Sequence, residues 1–359
     1  MLVTNQLQNS PSGGRELLSK LNHDVLLVNF CERLVLFDLP KSINTGLASN
    51  FKALIGHIDG LNKETISRVL HTIQLENVDK VFVDGSNLGL IVKVIKQRLP
   101  HVEVSTFFHN VESRFFLGAL RQAKTLRAFA VMMANYLAEC YAVRYSDRVI
   151  CMSERDSNLL HKVYGRAATH LSPMALQDKL NDHHTPGYTV TREKFILFVG
   201  GGFYANREGI KWFVKHVVPR ISIKTCIVGR GLEDLRIQLE REGKVEVIGA
   251  VESLAQWYRD AHLVIAPVFD GSGMKTKVAE ALMFGKKIIG TPEAFSGYEH
   301  IVEHAGWLCI TADDFVSAIE RAQKMVLKPH DPELRTIYEK TYSFDAMRSR
   351  YVKILGSEI

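Results

Sequence analysis

The chain has 359 residues, 46% of them hydrophobic and 23% charged. That exceeds what one hydrophobic core usually supports, so two domains are expected in a composition ordinary for a globular protein. A net charge of +6 is too small to argue for nucleic acid as a partner and suits anionic substrates or an anionic membrane surface. The five cysteines (Cys31, Cys140, Cys151, Cys226, Cys309) are scattered without a C-x-x-C pair, which argues against a zinc site or a disulfide framework and for a reducing compartment. The N-terminus lacks a basic region followed by an apolar core, and the nearly apolar run 128–138 is too short to span a bilayer and contains Asn135. A cytoplasmic protein is expected.

In chain order, Gly13-Gly14 with Arg15 next opens a helix, where backbone N–H groups can meet an anion; a plain loop is the alternative. Val25 to Phe30, Lys80 to Val83, Val102 to Phe108 and Arg148 to Met152 read as strands, and Glu64 to Leu75 and Leu88 to Arg98 as helices. His109 then closes a strand at its C-terminal end. Arg114 to Tyr141 is apolar-rich, with Arg114, Arg121 and Lys124 in one stripe of roughly 80°. It is either a basic amphipathic helix lying on an anionic membrane or a core helix with a basic exposed edge. Ser153 followed by Glu154 and Asp156 is a helix start, favouring capping over an acceptor-base role.

Residues 172–194 hold Pro173, Asn181, Asp182, Pro186 and Gly187 and read as an interdomain linker, with His183-His184 a solvated pair rather than metal ligands. The same rhythm then repeats. Phe195 to Val199, Lys224 to Val228, Val245 to Ile248, Leu263 to Ala266 and Lys287 to Ile289 read as strands, with helices at Gly209 to Val217 and Leu232 to Glu242. Pro332 to Leu355 reads as helix broken near Ser343. Apolar strands alternating with helices predict two doubly wound, Rossmann-like α/β domains with parallel sheets, whose ligands bind at the C-terminal ends of the strands, across a cleft between the domains. The expected organisation is 1–171, linker 172–194, 195–340, and a C-terminal helix in 341–359 packing back on the first domain.

The most informative stretch runs from Asp270 through Gly271, Ser272, Gly273, Met274, Lys275, Thr276 and Lys277 to Glu280 and Gly285. A glycine loop leaves a buried strand and enters a helix from Lys275 to Phe284, aiming N–H groups and the helix dipole at one point. Lys275 and Lys277 add charge, and Glu280 shares a face with Lys277. A solvated lysine pair with a first-turn glutamate is the plain alternative. It is not a Walker loop, since Met274 precedes Lys275, and Gly229-Arg230-Gly231 is not a dinucleotide fingerprint, since Asp234 stands where its third glycine belongs.

The run Phe198-Val199-Gly200-Gly201-Gly202-Phe203-Tyr204-Ala205-Asn206-Arg207-Glu208-Gly209, then Val228-Gly229-Arg230-Gly231, Ile248-Gly249-Ala250 and the 271–285 block resemble, in order, the donor half of group 1 glycosyltransferases (family 4, GT-B fold). Gly13-Gly14, Phe107-Phe108-His109-Asn110-Val111-Glu112 and Cys151-Met152-Ser153-Glu154 match the other half more loosely. The resemblance implies a hexosyl or related transferase taking a nucleotide-diphospho-sugar in the C-terminal domain and a glycan or polyprenyl-linked glycan acceptor in the N-terminal one. Its usual outcome is retention. The setting it implies is a bacterial surface polysaccharide, at the inner face of the cell membrane.

Carried across, Lys275 and Lys277 neutralise the diphosphate, Glu280 takes the ribose, His109 meets the transferred sugar, Gly200 and Gly201 allow close approach, and Gly229 and Gly249 border the base. Gly13 and Gly14 bring N–H groups to the diphosphate. The family often carries a glutamate where this chain has Ser272, and its arginine and lysine fall at Gly201 and Glu208 with Arg207 adjacent. Asp270 and the backbone of Ser272, Gly273 and Met274 are the candidates to read the sugar. No Asp-x-Asp triplet occurs, so no metal or other cofactor is expected and protein charge stabilises the leaving group. An epimerase or hydrolase of the same shape, or a non-catalytic sugar-nucleotide binder, are the rival readings.

Overall fold

The computed structural model describes residues 1–8, 13–40, 53, 56–181, 194–325 and 327–356. His183-His184 and most of the expected linker lie outside the described residues. The chain divides into two compact units, Met1–Pro173 with Met347–Ile359, and Met174–Ala346.

The first unit is a parallel six-stranded sheet: β1 (Leu2–Thr4), β2 (Leu36–Asp38), β3 (Lys80–Asp84), β4 (Glu103–Phe108), β5 (Arg148–Cys151) and β6 (His170–Leu171), in the order β2-β1-β3-β4-β5-β6. Its helices are α1 (Gly14–Phe30), α2 (Lys63–Leu75), α3 (Gly89–Arg98), α4 (Glu112–Ala123), α5 (Leu126–Tyr145) and α6 (Glu154–Tyr164). Asn62 and Thr65 form a capping box at the start of α2, and Ser153 caps α6 by accepting from the Asp156 N–H. The sheet direction reverses its strand order between β1 and β3, and the loops after these strands form the place where such sheets bind ligands.

Val25 to Phe30 is not a strand. It is the second half of α1, whose buried residues Leu18, Leu21, Asn22, Val25 and Leu26 follow helical spacing while Leu27 and Val28 are exposed. A six-residue apolar run looked like a strand because the 3.6-residue period shows only over the whole 17-residue helix. The strand that does open the unit, β1, is three fully buried residues long, too short for periodicity to reveal.

The second unit holds β7 (Phe195–Val199), β8 (Lys224–Val228), β9 (Val245–Gly249), β10 (Leu263–Ala266), β11 (Ile288–Gly290) and β12 (Gly306–Leu308), all parallel, in the order β12-β11-β10-β7-β8-β9. Its main helices are α7 (Tyr204–His216), α8 (Ala255–Asp260), α9 (Thr276–Met283), α10 (Ala312–Lys324) and α11 (Pro332–Ile337). Phe198, Ile210, Phe213, Ile227, Leu263, Ile265 and Phe315 lie in one buried core. The strand order reverses between β7 and β10, so the loops after these two strands are neighbours at a switch point.

Leu232 to Glu242 does not form the expected helix. It is a 3-10 turn (Glu233–Leu235) and a single α turn (Arg236–Leu239). The Glu233 carboxylate bonds to the backbone N–H groups of Gly231 and Ala250, and Arg236 donates to the Val247 carbonyl, so tertiary bonds hold the segment along the sheet edge. A last helix, α12 (Phe344–Leu355), begins after Ser343, which accepts from the Ala346 N–H. From Met347 onward it belongs to the first unit, where Lys80 donates to the Leu355 carbonyl at 2.9 Å and Arg350 to that of Pro173 at 3.1 Å.

Candidate functional site

In the second unit, the loops after β7 and β8 run against each other. Gly200 N–H donates to the Val228 carbonyl at 3.0 Å and Gly202 N–H to Arg230 at 2.9 Å. A Cβ on Gly229 would stand 1.9 Å from the Gly200 carbonyl oxygen, and one on Gly202 2.7 Å from that of Gly231. Gly229 also has φ +142°, a region costly to any other residue. Gly249, at φ +82°, leaves room for the Glu233 side chain, which ties the loops after β8 and β9 together. Gly201 differs from its neighbours: the nearest atom to a Cβ there is the Arg230 carbonyl oxygen at 3.8 Å. Gly201→Arg, supplying the side chain usual in the resembling family, is therefore expected to fold normally. It should tighten nucleoside diphosphate binding about two- to fivefold, the range of a partly exposed ion pair. Unchanged affinity in calorimetry would show that this position does not face the anion.

Beneath these loops lies Lys277, 5% exposed, its ammonium 4.6 Å from the centre of the Phe198 ring and donating to Asn206 Oδ1 at 2.7 Å. The Asn206 amide donates in turn to the Gly201 carbonyl at 3.1 Å. Burial pushes Lys277 down to about 7, with Glu280 resisting and Lys275 assisting. Glu280, one turn along α9, accepts from the Tyr258 hydroxyl at 2.7 Å. Its carboxyl is raised by burial, against Tyr258, Lys179 and Lys277.

Lys275 is the N-cap of α9, ahead of Thr276. Its ammonium folds back on its own loop, 2.8 Å from the Gly273 carbonyl, 3.4 Å from that of Ser272 and 3.0 Å from Glu293 Oε1. Asp270 accepts from the Tyr204 hydroxyl at 2.8 Å and from the Gly271 N–H at 2.7 Å. Met274 is buried with its side chain under Gly297, so only its backbone is offered to a ligand. Arg207 does not join this group. Its guanidinium makes a bidentate pair with Asp234, at 2.8 and 2.6 Å, and donates to the Gly231 carbonyl. Arg207 is thus engaged by Asp234 and the loop after β8 rather than by this group.

In the first unit, His109 follows β4 and is 4% exposed. Its Nε2 lies 2.9 Å from Asp84 Oδ1, and its buried Nδ1 has no partner. Asp84 closes β3 and also accepts from Thr4 and Asn22, at 2.9 and 2.7 Å. Burial alone would raise the Asp84 carboxyl; the charge and bond of His109, with Ser19 and Asn22, hold it at about 2. An ionised Asp84 takes an N–H from Nε2 and leaves Nδ1 as the free ring atom.

Glu112, buried, pairs with Arg15 at 3.4 Å, and Arg15 donates to Asn87 at 2.7 Å. Glu139 on α5 is fully buried and accepts from the N–H groups of Glu112 and Ser113 and from the hydroxyls of Ser86 and Tyr164. It thereby fixes the segment joining His109 to α4. Gly13 and Gly14 sit at the start of α1 with open space around both. Glu154 and Asp156 lie in the first turn of α6, Asp156 bonded to Ser153. Among the described residues no three His, Cys, Asp or Glu side chains gather as metal ligands, and no helix is long and apolar enough to cross a membrane.

Residues 193–325 match the family model described as Glycosyl transferases group 1. That match falls within the second unit. No curated protein sequence matches the chain. Among solved structures, it is similar to sucrose-phosphate synthase from Thermosynechococcus elongatus (15% identity, 99% of this chain and 97% of that chain, TM-score 0.72). It is also similar to Anabaena HepE in complex with UDP (15%, 99% of each chain, 0.71). A third is WaaG, a glycosyltransferase involved in lipopolysaccharide biosynthesis (13%, 98% and 95%, 0.60). At such identities the likeness establishes the fold, which is GT-B.

Several residues of these two sites were passed over by sequence reasoning. Asp84 could have been found, since it closes a strand three residues before Asn87 on the binding edge of the sheet. Asn206 stands in the first turn after the glycine loop, inside a motif read for its glycines. Tyr258, Glu139 and Glu293 left no local signal, because each reaches its partner across 18 or more residues.

Proposed function

We propose that the chain transfers a sugar from a nucleotide-diphospho-sugar to a hydroxyl of a glycan or polyprenyl-linked glycan acceptor. In this reading it retains anomeric configuration, uses no metal, and serves the synthesis of a bacterial surface polysaccharide such as O-antigen, capsule or exopolysaccharide. The observation that carries the reading is the buried Lys277, held by Asn206 under glycine-only loops and beside the N-terminus of α9. An anion arriving there meets a lysine and backbone dipoles already positioned, and it stabilises the protonated form of that lysine. Lys275 supplies the second charge. Glu280, steadied by Tyr258, accepts from the ribose hydroxyls, and His109 meets the sugar as the acceptor oxygen bonds to the anomeric carbon and the nucleoside diphosphate departs. The UDP held by the similar HepE structure puts uracil first among the bases to try.

Calorimetric titration with UDP, GDP, ADP and their sugars tests this. One nucleoside diphosphate is expected to bind, and its sugar to be transferred when a glycan acceptor is added; no binding by any of them, or release of free or epimerised sugar only, would sink the reading. His109→Ala is expected to lower turnover about a hundredfold, as for a group acting at the reacting centre, with nucleotide affinity unchanged.

The acceptor side is proposed to rest on an anionic membrane. Around the turn joining α4 and α5, Arg114, Arg121, Lys124 and Arg127 are exposed together with Leu117, Phe129 and Leu126, the last 90% exposed. No acidic residue occurs from Ser113 to Ala138. Such a surface gains from both acidic headgroups and interfacial burial. Sedimentation with phosphatidylserine vesicles is expected to carry the protein down at low salt, and Leu126→Glu with Phe129→Glu to release it. Equal sedimentation with neutral vesicles would refute the contact.

A further inference from the structure

Glu293 lies three residues beyond the end of β11, in the loop at the C-terminal edge of the second sheet. Its side chain is largely buried, and it pairs with the Lys275 ammonium at 3.0 Å. The same ammonium also contacts the Gly273 and Ser272 carbonyls. A phosphate oxygen can reach Lys275 only by replacing one of these partners. Glu293 is the charged one, and so the one that an anion directly opposes. Glu293 also stands near the Tyr204–Asp270 pair: the Tyr204 hydroxyl is pushed up to about 12 by burial, by its bond to Asp270, and by the charges of Asp270 and Glu293. The loop it faces carries Ser272, which has no carboxylate to offer a sugar.

We propose that Glu293 is the counter-ion of Lys275 in the free protein, yields that ammonium to the diphosphate when the donor binds, and then accepts hydrogen bonds from the donor sugar's hydroxyls. It would thereby supply the carboxylate that position 272 lacks. The assignment rests on the proposed function, since it needs a nucleotide-sugar donor at this site. A carboxylate released from an ion pair accepts two hydroxyls at once, which gives it discrimination between sugar epimers.

The assignment requires opposite effects on two ligands. With Glu293→Gln the competing charge is gone, so the nucleoside diphosphate that the wild type binds (UDP, GDP or ADP) is expected to bind about threefold or more tighter. The corresponding nucleotide-sugar is expected to lose its advantage over that diphosphate, and kcat/KM to fall about tenfold or more. Glu293→Asp is expected to restore part of the sugar discrimination. A variant that binds both ligands more weakly, or both unchanged, overturns the assignment while wild-type binding keeps the functional reading standing. Wild-type protein that binds no nucleoside diphosphate would overturn that reading, and this assignment with it.

Discussion

Replacing Lys277 with methionine is expected to weaken nucleoside diphosphate binding roughly 30-fold or more while changing affinity for the bare nucleoside little. Loss of one partner from a desolvated charge pair costs about 2–5 kcal/mol, and about 1.4 kcal/mol is tenfold. Because burial holds the Lys277 ammonium at about 7 in the free protein, the diphosphate must draw a proton to it at alkaline pH. At pH 8 a group with that value is about nine-tenths neutral, so binding is expected to take up close to one proton. At pH 6 it should take up almost none. Calorimetry in buffers of different ionisation heat reads this directly.

The same burial has a cost for the unliganded fold. The folded value lies below the ordinary 10.5, so the unfolded chain binds the extra proton between about pH 7 and 10.5, and stability rises with pH across that window. Below pH 7 the penalty is fully present. Lys277→Met is thus expected to stabilise the free protein at pH 6, by about 1 kcal/mol or more and a Tm gain of about 2–4 °C, and to give less at pH 10. A variant less stable at pH 6 with equal losses for nucleoside and diphosphate would remove Lys277 from the site.

Gly229→Ala is expected to cost roughly 3 kcal/mol or more in stability, a Tm drop of about 6–12 °C on the same scale, and to abolish nucleotide binding. Two causes add. The backbone at φ +142° disfavours any side chain by about 1–3 kcal/mol, and the new methyl would lie 1.9 Å from the Gly200 carbonyl oxygen and 2.7 Å from its carbon. Neither neighbour is a side chain that can swing away, so the β7 loop itself must shift. Gly201→Ala, in the neighbouring loop of the same cluster, meets only the Arg230 carbonyl oxygen at an ordinary 3.8 Å and is the control, expected to be silent. Thermal denaturation of both variants with and without nucleotide decides the matter. Equal behaviour of the two would mean that the glycine-lined approach plays no special part.

Much of the fold could be read without coordinates. Phe195–Val199, Lys224–Val228 and Leu263–Ala266 are the strands their apolar runs announced, because a strand buried on both faces has no polar alternation to confuse. The loop entering α9 was legible for a related reason: glycines, lysines and a helix start lie within ten residues, so the chemistry is local. Val25 to Phe30 and Leu232 to Glu242 failed where the deciding contacts were distant. The former packs as part of a longer helix, and the latter is broken into two short turns by Glu233 bonding to Gly231 and Ala250 and Arg236 to Val247.

Composition, periodicity and motif spacing by themselves determined two doubly wound parallel sheets and a glycine-and-lysine loop at a strand end, since these depend on residues close together in the chain. Only the tertiary structure decided what state the charges are in. Lys277 is desolvated against Phe198 and bonded to Asn206, Lys275 is matched by Glu293, Arg207 is spent on Asp234, and His109 is oriented by Asp84. A side chain's charge and reach depend on burial and on partners tens of residues away, and no local pattern carries that information.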